Sequence, residues 1–206
     1  MDSLIEYGVA MRPFPGEKVS GDAYLVRMLE DGVVLAVVDG LGHGDEAANA
    51  SRVAVKTLDR YAAETPNELL LHTHHALKSS RGVAMSLASI DQRSNRMDWL
   101  GVGNVDGLLV RYGTQIPSIE RLLTRGGVVG FQLPPLRRAS LCLHSGDLIV
   151  LASDGIRSEF GSAWTLADPL LRCQKVQSIA EQILREFGKV TDDALVLVAR
   201  YCGRLS

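Results

Sequence analysis

An α+β fold, with helices covering antiparallel sheets, is predicted by three observations on this 206-residue chain. Strand-like runs arrive in groups and helical stretches in pairs, without the regular βαβ alternation of a parallel sheet. Residues 33–38, 148–152 and 194–199 are apolar at every position, so they read as strands covered on both faces. Residues 175–187 place Val176, Ile179, Ala180, Ile183, Leu184 and Phe187 on one helical stripe that closes at Gly188.

In chain order, residues 3–11 and 23–29 read as two strands around a Pro/Gly loop at 13–21. The buried run 33–38 follows. From 47 to 63, Ala47, Ala50, Ala54, Leu58 and Tyr61 recur three and four apart, which predicts a helix with one buried face. A second helix starts at Thr65-Pro66-Asn67-Glu68, where the cap residue, the first-turn proline and the glutamate three later agree. It carries Leu69, Leu70 and Leu77 and is expected to end near Ser79. Residues 83–90, 97–102 and 108–112 then read as a meander. The segment 113–140 is less regular, with a weak strand at 119–123 and loops at Gly126-Gly127, Gly130 and Pro134-Pro135. The strand at 148–152 is entered by the turn His144-Ser145-Gly146-Asp147, a short helix is expected after Gly155, and the last strand runs over 194–201. No repeat, linker or low-complexity segment interrupts this order, so one domain over 1–206 is expected.

Composition narrows the function classes. Asp plus Glu (24) slightly outnumber Lys plus Arg (22), which gives no reason to expect nucleic acid or an anionic membrane as partner. Cys142, Cys173 and Cys202 are far apart and lack metal-type spacing, a pattern of a reducing compartment with buried or inert thiols and no zinc site. The amino terminus lacks the basic flank and apolar segment of a signal peptide, and no uncharged apolar stretch approaches the ~20 residues of a membrane span. A cytoplasmic monomer is expected.

Four carboxylate positions mark the ends of the most buried strands. Asp39 ends the run 33–38 and enters Gly40-Leu41-Gly42-His43-Gly44; Asp154 follows the run 148–152 and precedes Gly155. Asp192-Asp193 stands just before the last strand, and Asp22 opens the second. A lone Asp-Gly is an ordinary turn. Four such carboxylates, brought together, would repel one another unless a hard cation lay among them. All-oxygen ligands suit Mg²⁺ or Mn²⁺, and two such ions about 3.5–4 Å apart would activate a water for phosphoryl hydrolysis.

The ordered set Gly21-Asp22, Asp39-Gly40-Leu41-Gly42-His43-Gly44, Ser153-Asp154-Gly155 and Asp192-Asp193 resembles the PPM (protein phosphatase 2C-like) metal-dependent serine/threonine phosphatases. Its Gly-x-Gly-His-Gly form is similar to the bacterial branch that includes SpoIIE and RsbU. Within it, Gly101-Val102-Gly103-Asn104-Val105-Asp106-Gly107 and the ending Asp-Asp-Ala-Leu-Val-Leu-Val-Ala resemble the feedback phosphatases of the stressosome. The resemblance implies a four-layer αββα sandwich with Mn²⁺ or Mg²⁺, two ions, at one end of its sheets. Asp39 would bridge the ions, the Gly40 carbonyl would bind one, and Asp154 and Asp192 would complete the second sphere. Asp22 would bind a metal or hold metal-bound water. The implied partners are phosphorylated STAS-domain proteins, RsbS- and RsbR-like, and the implied output is the resetting of a stress response.

Departures leave alternatives open. Leu41 stands where many eukaryotic members have a histidine, so His43 is the candidate general acid, against a role in ordering water or simply facing solvent. Leu195 replaces a common threonine. Arg12 and Lys18 are candidate phosphate contacts, against solvated surface charges. The alternatives are a non-catalytic binding module of the same fold, or an RsbU/SpoIIE-type phosphatase acting on an anti-sigma factor antagonist. A dinucleotide site at Gly40 is disfavoured, because the third glycine is missing and Asp39 and Asp45 would repel a pyrophosphate. His72, His74 and His75 read as a solvated helix face, and Trp99 and Trp164 as core or rim aromatics.

Overall fold

The computed structural model describes residues 4–111, 118–161 and 173–203. Among the described residues, ten strands and three α-helices follow one another as β1 (Ile5–Arg12), β2 (Asp22–Leu29), β3 (Gly32–Gly40), α1 (Gly44–Arg60), α2 (Pro66–Ala76), β4 (Val83–Asp91), β5 (Arg96–Val102), β6 (Asp106–Arg111), β7 (Ser118–Leu122), β8 (Ala139–Cys142), β9 (Leu148–Ala152), α3 (Val176–Phe187) and β10 (Ala194–Tyr201). A 3₁₀ turn at Ser158–Gly161 is the short helix expected after Gly155. Every strand pairing is antiparallel; one sheet has the order β1-β10-β9-β6-β7 and the other β2-β3-β4-β5-β8.

The alternation of side chains along a strand assigns the layers. In β3, Val33, Leu35 and Val37 face the other sheet, where they meet Ile149, Leu151, Leu195 and Leu197. Val34, Ala36 and Val38 face the opposite way, toward Ala50, Ala54 and Leu58 of α1 and Leu69 and Leu70 of α2. The other sheet does the same, with Val150, Val196 and Val198 packed on Val176, Ile179, Ala180 and Ile183 of α3. The αββα sandwich follows, and it explains why the runs 33–38, 148–152 and 194–199 carry no polar position.

Local chemistry sets the helix ends. Thr65 and Glu68 form the expected capping box, the Glu68 amide donating to Thr65 Oγ1 at 3.4 Å and the Thr65 amide to Glu68 Oε2 at 2.9 Å. α1 begins at Gly44, three residues before the expected start, because the apolar stripe first becomes visible at Ala47. Small buried residues let α1 lie close to its sheet. A Cβ on Gly40 would stand 2.3 Å from the Ala47 carbonyl oxygen, so glycine is required there by the helix itself.

Three expectations change. β8, which begins inside the segment expected to be irregular, is a four-residue edge strand with no buried position and therefore no alternation to read. The cysteines are all exposed rather than buried. The histidines of α2 are not a merely solvated face. His72 stacks on Tyr61 with centroids 4.0 Å apart, and His74 Nδ1 accepts the Gly130 amide at 3.0 Å. Trp99 is buried, as expected of a core aromatic; Trp164 and the expected strand end at residue 112 lie outside the described residues.

Candidate active site

The inter-sheet core opens at one end, and the aspartates stand in that opening. Asp39 continues the alternation of Val33, Leu35 and Val37, so its carboxylate emerges where the next apolar core residue would be. Asp22 is its register partner on β2 and therefore shares that face as a direct cross-strand neighbour. The pairing continues one step further, the Gly40 amide donating to the Gly21 carbonyl at 3.1 Å. Asp154 follows β9, and Asp192 and Asp193 precede β10, which pairs with β9. Both sheets thus deliver carboxylates to one mouth.

A cleft of about 710 Å³ occupies this mouth, lined by Asp39, Asp154 and Asp192 with Phe14, Leu41 and His43 among others. Ala84, opposite Asp39 on β4, and Gly103, Asn104, Gly126 and Gly127 form its small-residue wall. Behind it the carboxylates are tied down. Ser153 Oγ donates to Asp22 Oδ2 at 2.6 Å and itself accepts the Leu195 amide at 2.9 Å. Asn104 Nδ2 donates to Asp154 Oδ2 at 2.5 Å, and the Phe14 amide to Asp193 Oδ1 at 2.8 Å.

What these groups lack is a cation of their own. Burial pushes the Asp39 carboxyl up to about 8, with Asp22 and Asp154 adding to the effect. Burial likewise pushes Asp22 up to about 7, although the Ser153 hydrogen bond pulls it down and the other aspartates raise it further. Asp154 is raised by burial and by Asp192, with Lys189 acting the other way. Asp193 Oδ2 is buried with no hydrogen-bond partner. Among the described residues no three Asp, Glu, His or Cys side chains converge into a ready-made ligand cluster. Like charges without a counter-ion stand apart, and Mg²⁺ or Mn²⁺ characteristically keeps several waters and takes few carboxylates. The donor set is all oxygen, burial and mutual repulsion penalise its charge, and one oxygen of the neighbouring Asp193 is orphaned. Such a set fits a hard divalent cation.

Comparison with known proteins agrees with this chemistry. A family model described as Stage II sporulation protein E (SpoIIE) matches residues 30–201. The chain belongs to the SpoIIE family. It is a PP2C-like phosphatase domain, and the PPM resemblance of its motifs is thereby accounted for. A curated relative, phosphoserine phosphatase RsbX of Bacillus subtilis (strain 168), is 32% identical over 144 residues, which are 68% of this chain and 69% of the relative. A solved chain described under "The bacterial stressosome: a modular system that has been adapted to control secondary messenger signaling" matches with 29% identity and a TM-score of 0.84, covering 95% of this chain and 99% of that one. RsbX in complex with magnesium shares the fold at a TM-score of 0.82 and 19% identity, covering 97% of this chain and 96% of its own.

Of the residues expected in a SpoIIE-type site, Asp39, Asp154, Asp192 and His43 line the cleft, and Asp22 stands beside Asp39. His43 caps α1 by position, stacks on Phe14 with centroids 4.4 Å apart and shares a contact of 3.2 Å between Nδ1 and Glu17 Oε1. Leu41 also lines the cleft, whereas Leu195 is buried between the sheets with only its amide engaged near the site. Arg12 and Lys18 are not among the lining residues. Arg12 donates to the Lys189 carbonyl, and Lys18 is exposed. Ser153 and Asn104 escaped the sequence reading as site residues, since their part depends on contacts across 131 and 50 positions. The one local hint was their place in the motifs Ser153-Asp154-Gly155 and Gly103-Asn104-Val105.

Proposed function

We propose that this protein is a Mn²⁺- or Mg²⁺-dependent phosphatase of phosphoserine and phosphothreonine in proteins, acting in the cytoplasm on STAS-domain regulators of the RsbS and RsbR kind. The observation that carries this reading is the cross-strand pair Asp22–Asp39 facing Asp154 and Asp192 at one open end of the sandwich, where burial and mutual repulsion penalise their charge. The names of the relatives support the substrate class: one is a phosphoserine phosphatase, and another was solved in work on the bacterial stressosome.

Asp39, Asp22, Asp154, Asp192 and the Gly40 carbonyl would hold the ions. When bound, the ions supply a water nucleophile at neutral pH and stabilise phosphoryl oxygens. The chain's own contribution is placement. Ser153 fixes the Asp22 carboxylate, Asn104 fixes that of Asp154, and Gly40 lets α1 pack closely against the end of β3. His43, in the lining of the cleft, is positioned to give a proton to the departing serine oxygen, and its contact with Glu17 and its stacking on Phe14 hold the ring.

The test is to incubate the chain with phosphorylated RsbS- and RsbR-like proteins and to follow phosphate release with and without Mn²⁺. Release is expected with Mn²⁺, none with EDTA, and a loss of at least about 1000-fold in Asp39→Ala. Metal-independent release, or an unaffected Asp39→Ala, would overturn the reading. His43→Gln is expected to slow phosphoserine cleavage about 100-fold but to spare p-nitrophenyl phosphate, whose leaving anion needs no proton.

A further inference from the structure

We propose that Arg81 binds the substrate's phosphoryl group at the rim of the cleft, and that Glu46 is the counter-ion that holds its guanidinium there until substrate arrives. This inference rests on the phosphatase reading above. Arg81 lies in the turn between α2 and β4, directly before Gly82. Gly82 is clamped between two loops that line the cleft. Its carbonyl accepts the Leu41 amide at 3.2 Å, and a Cβ on it would stand 2.5 Å from Val128 Cγ1. The main chain at Arg81 is thereby fixed to the rim.

The side chain reaches the glycine loop that follows Asp39. Arg81 Nη1 lies 2.9 Å from where a Cβ of Gly42 would be, and Gly42 lines the cleft. Gly42 also has φ +88°, so both its backbone and the guanidinium demand a residue without a side chain. Arg81 Nη2 pairs with Glu46 in the first turn of α1, and the pair is open to water, at 53% and 70% side-chain exposure. An ion pair that exposed holds weakly against water and salt. A phosphate ester brings nearly two negative charges and several acceptor oxygens, and guanidinium matches it with paired hydrogen bonds. Glu46 would therefore yield the guanidinium to an incoming phosphoserine.

The expected arginine, Arg12, donates to the Lys189 carbonyl. Arg81, which with Glu46 lines a smaller cavity beside the cleft, is the guanidinium that reaches the Gly42 loop.

Exchange with Glu46 predicts opposite effects from the two partners, whereas a purely structural ion pair predicts the same effect from both. The full chain with Mn²⁺ would be assayed on a phosphoserine peptide, and its affinity for inorganic phosphate, which is not turned over, measured by calorimetry. Arg81→Ala is expected to raise KM about 10- to 100-fold with little change in kcat and to weaken phosphate binding by a similar factor. Arg81→Lys should recover part of the loss, and Glu46→Gln should lower KM about two- to fivefold. Should Arg81→Ala fold poorly, the Arg81→Lys and Glu46→Gln pair still reads the exchange. Unchanged KM and phosphate affinity in the Arg81 variants, or a KM raised by Glu46→Gln, would overturn the proposal. If the unsubstituted chain leaves the peptide intact while phosphate binding still depends on Arg81, the phosphatase reading falls and the anion site stands.

Discussion

β9 carries an aspartate at each end, and the two are treated in opposite ways. Asp147, just before the strand, is fully buried, and Oδ2 accepts from Arg111 Nη1 at 3.1 Å and from the His144 amide at 3.0 Å. Burial pushes its carboxyl upward, but the amide and the guanidinium pull the other way. Asp154, just after the same strand, has Asn104 and Lys189 on its side and Asp192 against it. One end of the sandwich answers a buried carboxylate with a built-in arginine; the other gathers carboxylates and supplies none. The first arrangement is finished by folding, and the second is finished by something that binds. That contrast separates an aspartate that stabilises the molecule from aspartates that stabilise a ligand.

The largest effect expected from breaking the contrast lies at the finished end. Arg111→Met would leave Asp147 buried without its charge partner, and removing one member of such a pair costs roughly 3 kcal/mol. Urea unfolding should show that loss, while kcat per folded molecule in the presence of Mn²⁺ stays unchanged, because Arg111 lies at the far end of β9's sheet from the cleft. A loss of activity without loss of stability would show that the two ends are not independent.

At the other end a substitution should stabilise. Asp39 keeps its proton to about pH 8 in the folded chain and releases it near pH 4 when unfolded. Between those values the folded state binds more protons than the unfolded one, so the stability of the metal-free chain falls as pH rises through the window. Asp22 acts in the same direction up to about pH 7. Asp39→Asn removes the charge that burial penalises. It should raise the stability of the metal-free chain at pH 8 by on the order of 1–3 kcal/mol, with a smaller gain at pH 5. The same variant should lose the stabilisation that Mn²⁺ gives the parent chain. Thermal unfolding with EDTA and with Mn²⁺, at both pH values, checks both halves.

The finished and unfinished ends were unequally legible in the sequence. The strands that build both could be read because β3, β9 and β10 are buried on two faces and leave an unbroken apolar signature. The helices were read from Thr65-Pro66-Asn67-Glu68 and from the stripe of α3. Asp22, Asp39, Asp154 and Asp192 were legible because a carboxylate interrupting or ending such a run is a local anomaly. The ion pair Arg111–Asp147 was not, since each partner is an ordinary charge at a strand end and only the pairing of β6 with β9 joins them. β8 was missed for a similar reason: an exposed edge strand is defined by its neighbour β5, not by its own residues. Arg12 stayed open between a phosphate contact and a surface charge, because only the folded chain brings its guanidinium to the Lys189 carbonyl.

The subtlest way to sharpen the contrast is Ser153→Ala. Ser153 Oγ is the closest thing to a partner that folding gives Asp22, and it links that carboxylate to the Leu195 amide. Donation to a carboxylate favours its charged form, so losing the donor raises the Asp22 carboxyl above its present value of about 7. Metal and proton compete for the same oxygens, so the Mn²⁺ affinity of Ser153→Ala should fall, and its pH midpoint should move upward by a few tenths of a unit or more. The metal-free chain should lose about 1–3 kcal/mol, because both hydrogen bonds of the hydroxyl go and the buried Leu195 amide is left without its acceptor. Ser153→Ala would thus move the Mn²⁺ midpoint, which Arg111→Met leaves in place. If Ser153→Ala instead destabilised the chain strongly and left the Mn²⁺ midpoint unmoved, Ser153 would belong with Arg111 among the groups that complete the fold, and Asp22 would lose its place among the carboxylates that await a cation.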